Sequence, residues 1–135
     1  MADKIVDIEG IGPAYAAKLN AAGIQDTDDL FAEAGIKANR AKLAEETGIS
    51  EKLILSWCNM ADLMRLKGVG GQFAELLHAA GIDSCKELAQ RKAENLHAKM
   101  EEVNAAKNLT HGNFTVAMVQ KWIDEAKTLP AVISH

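Results

Sequence analysis

Ile8-Glu9-Gly10-Ile11-Gly12-Pro13 and, 58 residues later, Leu66-Lys67-Gly68-Val69-Gly70-Gly71 are two copies of one short stretch. Each is followed at the same distance by the identical tetrapeptide Ala-Ala-Gly-Ile, at 21–24 and at 79–82. Leu19 falls on Leu77 between the two matches. A shared offset over separate matches marks an internal duplication.

Two glycines in three positions let the backbone turn where a β-carbon would clash. The apolar residue between them, Ile11 or Val69, is then free to point into a core. A helix start follows. Pro13 suits a first helical position, and Ala16 with Leu19, or Ala74 with Leu77, give apolar helical spacing. Upstream, Ile5 with Ile8 and Leu63 with Leu66 supply an apolar stripe of a preceding helix. The unit reads helix, glycine turn, helix.

That order, apolar-x-Gly-apolar-Gly-x-x-x-Ala, resembles the helix-hairpin-helix motif of DNA-repair, recombination and replication proteins. Residues 4 to about 130 resemble a small bacterial family of tandem helix-hairpin-helix proteins whose function is largely unassigned. The resemblance implies an all-α fold of two tandem repeats, each of about five short helices in a SAM-domain-like bundle, packed together. The repeats would be 1–61 and 62–130, with 131–135 as a tail. It also implies a mode of action in which hairpin amides and the following helix start hold a backbone phosphate without reading bases. Free N–H groups at a turn and helix N-terminus are suited to an anion.

The two turns differ. The first carries Glu9, whose charge repels phosphate, and Pro13, which lacks an N–H. Gly10, Ile11, Gly12 and Pro13 therefore read as a structural hairpin. The second carries Lys67, with Arg65 two residues earlier, and Gly71 restores the N–H. The expected nucleic-acid-binding residues are Arg65, Lys67, Gly68, Val69, Gly70, Gly71 and Gln72. Residues 1–61 hold six Lys or Arg against ten Asp or Glu, whereas 62–135 hold nine of each. Lys86, Arg91, Lys92, Lys99 and Lys107 could extend a basic surface or lie scattered on solvated helices.

The formal net charge of −4 counts against nucleic acid, since neutralising phosphates drives such affinity. An adaptor that binds a protein partner or itself is the competing reading. Helix-hairpin-helix domains that grip DNA commonly place basic or small polar residues after the hairpin, where this chain has Ala14-Tyr15 and Gln72-Phe73. Tyr15 or Phe73, if exposed, would suit a protein contact; the alternative is that both are buried.

No nucleophile with a histidine partner, Walker loop or metal-ligand spacing stands out, so no enzyme, cofactor or metal is expected. Cys58 and Cys85 read as buried free thiols. The composition, 48% hydrophobic but 4% aromatic, calls for a core of Ala, Leu, Ile and Met. There is no stretch of the roughly 18 apolar residues a membrane span needs, and no signal-peptide layout, so a cytoplasmic location is expected.

Along the chain, Asp3 is expected to cap a short helix ending near Ile8, a helix follows over Pro13–Ala22, and the next, entered at the acidic run before Leu30 and Phe31, stops around Gly35. The run Asp26-Thr27-Asp28-Asp29 reads as a helix cap rather than a cation loop. A helix over Ala38–Thr47 carries Arg40 and Lys42 as solvated charges, and Ser50 caps a longer one. In the second copy helices are expected over Gln72–Ala80, Cys85–Arg91, Glu94–Leu109 and Val116–Thr128. Leu53-Ile54-x-x-Trp57 matches Met118-Val119-x-x-Trp122 at a spacing of 65, so the second copy has about seven extra residues, placed in or beside the 94–109 helix. Equivalent positions on apolar stripes mark both tryptophans as core rather than base-stacking groups. Pro130 ends regular structure, and the residues after it are expected to be disordered.

Overall fold

A computed structural model describes residues 2–135. Its regular elements are helical: a 3₁₀ turn at Ile5–Asp7, then α1 (Pro13–Ala21), α2 (Thr27–Ala34), α3 (Lys37–Thr47), α4 (Glu51–Leu63), α5 (Gly71–Ala79), α6 (Cys85–Leu88), α7 (Ala93–Lys107) and α8 (Val116–Ala126). The described residues form two compact units. One runs to Asp62 and takes in Val132–His135; the other spans Leu63–Ala131.

The duplication is visible atom by atom. In the first unit the Ile8 N–H donates to Ile5 O at 3.2 Å and the Ile11 N–H to Ile8 O at 3.1 Å. In the second, Leu66 donates to Leu63 O at 3.2 Å and Val69 to Leu66 O at 3.1 Å. Gly10 and Gly68 take φ of 91° and 86°, a region that favours glycine. Each turn is backed by a tryptophan: a β-carbon on Gly10 would stand 3.8 Å from Trp57 Nε1, and one on Gly68 3.7 Å from Trp122 Nε1. Tyr15 lies edge-on to Trp57 with ring centroids 5.1 Å apart, and Phe73 lies on Trp122 at 5.4 Å. Both tryptophans are thus buried core groups, and Tyr15 and Phe73 are half-buried against them.

The helices of the two copies also stop alike. The Ile24 N–H donates to Leu19 O and the Gly23 N–H to Asn20 O; Ile82 and Gly81 do the same with Leu77 and His78. Gly23 and Gly81 are left-handed. This Schellman arrangement satisfies the last carbonyls of α1 and α5 and folds Ile24 or Ile82 back into the core. The core of each unit is built from matched positions, Ile5 with Leu63, Ile8 with Leu66, Ile11 with Val69, Leu19 with Leu77, Ile24 with Ile82 and Leu30 with Leu88, all buried.

Asp26 caps α2, its Oδ1 accepting from the Asp29 N–H at 2.8 Å, while Asp29 Oδ2 accepts from the Gln25 N–H at 2.9 Å. This reciprocal pair accounts for the acidic run. The extra residues of the second copy lie in α7, 15 residues against 11 in α3, and in the longer connection 108–115.

Four expectations fail. Asp3 does not cap a helix: the segment makes one 3₁₀ turn, and Asp3 pairs through its backbone with Thr27, whose N–H donates to Asp3 O at 2.9 Å. The α6 helix ends at Leu88 rather than Arg91. Arg40 is not solvated but 1% exposed. Residues 132–135 are no free tail: the Ser134 N–H donates to Gly35 O at 2.8 Å, so an extended strap lies on the first unit. Arg40 and the strap explain each other, because the guanidinium donates to Ala34 O, Gly35 O and Ser134 O.

Candidate functional site

The second glycine of each turn behaves differently from the first. Gly12 has φ −82° and ψ 180°, and Gly70 has φ −91° and ψ −169°. Any residue adopts such extended values, so conformation does not require glycine here. Nor does packing, since a β-carbon on either would meet no atom within 4 Å. Each glycine therefore opens space in front of a helix, at the N-caps of α1 and α5. Neither helix has a side-chain cap.

At α5 the N–H groups of Gly71, Gln72 and Phe73 find no acceptor among the described residues, and the first intrahelical bond is from Ala74 N–H to Gly70 O at 2.9 Å. At α1 the corresponding donors fall to two, on Ala14 and Tyr15, because Pro13 has none. The α5 start thus offers three unbonded donors, an open approach over Gly70, and the dipole of a nine-residue helix to an anion.

The charges are arranged less simply. Lys67 is exposed, and among the described residues no carboxylate lies within ion-pair distance of its ammonium. Its own N–H, however, donates to Glu125 Oε1 at 3.0 Å, so a carboxylate from α8 occupies the front edge of the turn. Arg65 is half-buried and already has a partner within the chain. Gln72 is exposed, and its Oε1 accepts from Thr110 Oγ1 at 3.3 Å. Val69 is buried, as a residue between the two glycines should be.

Of the five other basic residues, Arg91 and Lys92 line one groove beside Val116 and Gln120. Lys86, Lys99 and Lys107 stand outside that groove. Arg91 is ion-paired with Glu87 at 2.6 Å and Lys99 with Glu102 at 3.8 Å. Glu125 is the residue that sequence reasoning missed. It sits where the first copy has Met60, a difference visible in the alignment of the α4 and α8 stripes.

Two titratable groups are strongly shaped by their surroundings. Burial pushes the Cys58 thiol up to about 12, against the pull of Arg40 and with a further push from Asp62. The thiolate is the nucleophile, so iodoacetamide at pH 8 is expected to leave Cys58 unlabelled in the native chain and to label it in urea, as mass spectrometry would read. His78 has its pKa lowered by burial, partly opposed by the Asp83 carboxylate. The unfolded chain then binds the proton more readily, so the stability from this group is present above the ordinary imidazole value of 6.5 and is lost as pH falls below it. The urea midpoint of the second unit is expected to be lower at pH 5.5 than at pH 7.5, with the difference reduced in His78→Gln.

Residues 9–129 match the family described as Domain of unknown function (DUF4332). The chain belongs to this family. The DUF4332 match takes in both glycine turns and both tryptophans, and it stops short of the strap. No curated protein and no solved structure matches the chain. No helix of this DUF4332 chain, among the described residues, is long and apolar enough to cross a membrane.

Proposed function

We propose that the chain is a non-catalytic helix-hairpin-helix module of the cytoplasm that binds the sugar-phosphate backbone of nucleic acid, independently of sequence, through its second glycine turn. The observation that carries this reading is the open space over Gly70, in front of three unbonded N–H groups and beside the exposed Lys67. A glycine that neither φ nor packing demands fits the close approach of an external oxygen. A phosphate there accepts from the helix start while Lys67 adds charge. The first turn, with Glu9 and Pro13, serves as scaffold.

The experiment is an amide NMR titration with a short random-sequence DNA duplex at low and at high salt. Shifts confined to residues 65–73 that vanish with salt support the reading, because displaced counterions make backbone binding salt-dependent. No shift at low salt removes DNA as the partner. A second reading, an assembly adaptor, is favoured by Val6 and Ile36, 50% and 59% exposed on the acidic first unit. Such an interface would respond little to salt.

The glycines give a sharper version of the test. Gly70→Ala should cost about 1 kcal/mol of stability at the α5 N-cap, while its methyl group fills the approach and should weaken duplex binding to the still folded chain at least about tenfold, close to 1.4 kcal/mol. Gly68→Ala should cost about 1–2 kcal/mol of stability because a β-carbon is strained at φ 86°. Urea unfolding and the same titration read both.

A further inference from the structure

The strap on the first unit is held in the manner of a bound peptide. One residue, Ser134, is engaged at every polar atom: its N–H donates to Gly35 O at 2.8 Å, its O accepts from the Arg40 guanidinium, and its Oγ accepts from the Lys37 N–H at 2.9 Å. The next residue, His135, donates from Nε2 to Oδ1 of the buried Asn59 at 3.0 Å.

The receiving side is incomplete without this segment. The α3 helix starts after Ile36, which offers no side-chain cap, and the Lys37 N–H finds its acceptor in a serine 97 residues away. Arg40 has two acceptors on its own unit's helical framework, Ala34 O and Gly35 O; the third comes from the strap. Gly35 is the clearest sign. Its φ of −64° and ψ of −33° are ordinary helical values, so conformation does not call for glycine. A β-carbon there would stand 2.5 Å from Val132 O, and as close to Phe31 O. Glycine is thus required twice over, by the last turn of α2 itself and by the strap backbone that lies against it.

Nothing in the strap is deeply buried: Val132 and Ile133 are half-buried, and Ser134 and His135 are exposed. Short, shallow segments of this kind open at little cost. We propose that Gly35, Lys37 and Arg40 form an exchangeable peptide-binding site, for which residues 132–135 are the resident ligand. Its other ligand is an extended segment of another chain with two apolar residues before a serine. Recognition is through the main chain of the serine, held between the end of α2 and the Arg40 guanidinium, with the serine hydroxyl supplying specificity at the α3 start. The resident segment competes at the effective concentration of a short tether, about millimolar, so an incoming segment binds when the strap is weakened or its own affinity is higher.

The test uses the full-length ¹⁵N-labelled Ser134→Pro chain, whose strap lacks the N–H for Gly35 O, and a synthetic peptide of residues 129–135. Saturable shifts of the Gly35 and Lys37 amides are expected, with Kd below about 1 mM. A peptide with proline in place of its serine should give none. Absence of shifts at Gly35 and Lys37 up to several millimolar, with the remaining amides of the first unit unchanged from the parent chain, overturns the proposal. So do equal shifts from the proline peptide. Should Ser134→Pro disturb the fold, the parent chain serves: excess peptide must move the Ser134 amide toward its random-coil position, and a Ser134 amide that stays put also overturns the proposal.

Discussion

Arg40→Ala is expected to destabilise the first unit by about 3 kcal/mol, from a cavity at a buried site and from acceptors stripped of their donor. The guanidinium is 1% exposed and donates to three carbonyl oxygens, two of them at the end of α2. A cation there meets the negative end of that helix dipole, which helps offset the burial of an always-charged group among neutral acceptors. Arg40→Lys should lose nearly as much, because one ammonium on a shorter stem cannot span acceptors that the fork reaches together. Arg40→Met should lose least, since it fills the volume and removes the buried charge along with its bonds. Urea unfolding followed at first-unit amides measures all three. An Arg40→Lys chain as stable as the parent would show that the charge, not the fork, is what α2 and the strap use. The Ser134 amide, bonded to Gly35 O, should lose its exchange protection in Arg40→Ala before the amides of α1 do.

How much of this could be read beforehand depends on whether a residue's role is local. The turns, the Schellman stops and the Asp26 cap depend on neighbours within five positions, and the residue types alone specify them. The duplication marked Trp57 and Trp122 as equivalent core positions, whereas that each backs a glycine turn appears only in the structure. Arg40 defeated this logic because its partners are carbonyls, which carry no sequence signature, and one of them lies 94 residues away. A signal did exist, since α3 has Leu43 as its sole buried apolar residue and the stripe position one turn earlier is Arg40 itself. The strap was misjudged for a related reason. After Pro130 no periodicity remains, and an extended segment held by its main chain leaves only Val132-Ile133 as a trace. At the second turn, Lys67 and the glycines were legible from their types, whereas Glu125 comes from α8 and was not.

Glu125 gives the largest expected effect on the proposed activity, through a pair of opposite changes at one place. Lys67→Glu should reduce duplex binding beyond detection at low salt, because it replaces the cation beside the α5 donors with an anion and places that anion next to Glu125. Glu125→Gln should instead strengthen binding about threefold to tenfold, the size of one repelling charge removed from a partly screened surface. The glutamine Oε1 can still accept from the Lys67 N–H, so the turn keeps the 3.0 Å bond that Glu125 makes. Lys67 is exposed and its side chain supports no packing, so neither change should move stability by more than about 0.5 kcal/mol. Fluorescence anisotropy of a labelled duplex, taken across a salt series, separates the causes. In Lys67→Gln, which loses the cation without adding an anion and keeps measurable affinity, the slope of log K against log salt should fall by roughly one in magnitude. If Lys67→Glu and Glu125→Gln left affinity and slope unchanged, the second turn would not be where the duplex sits. The exposed apolar residues of the first unit would then become the surface to pursue.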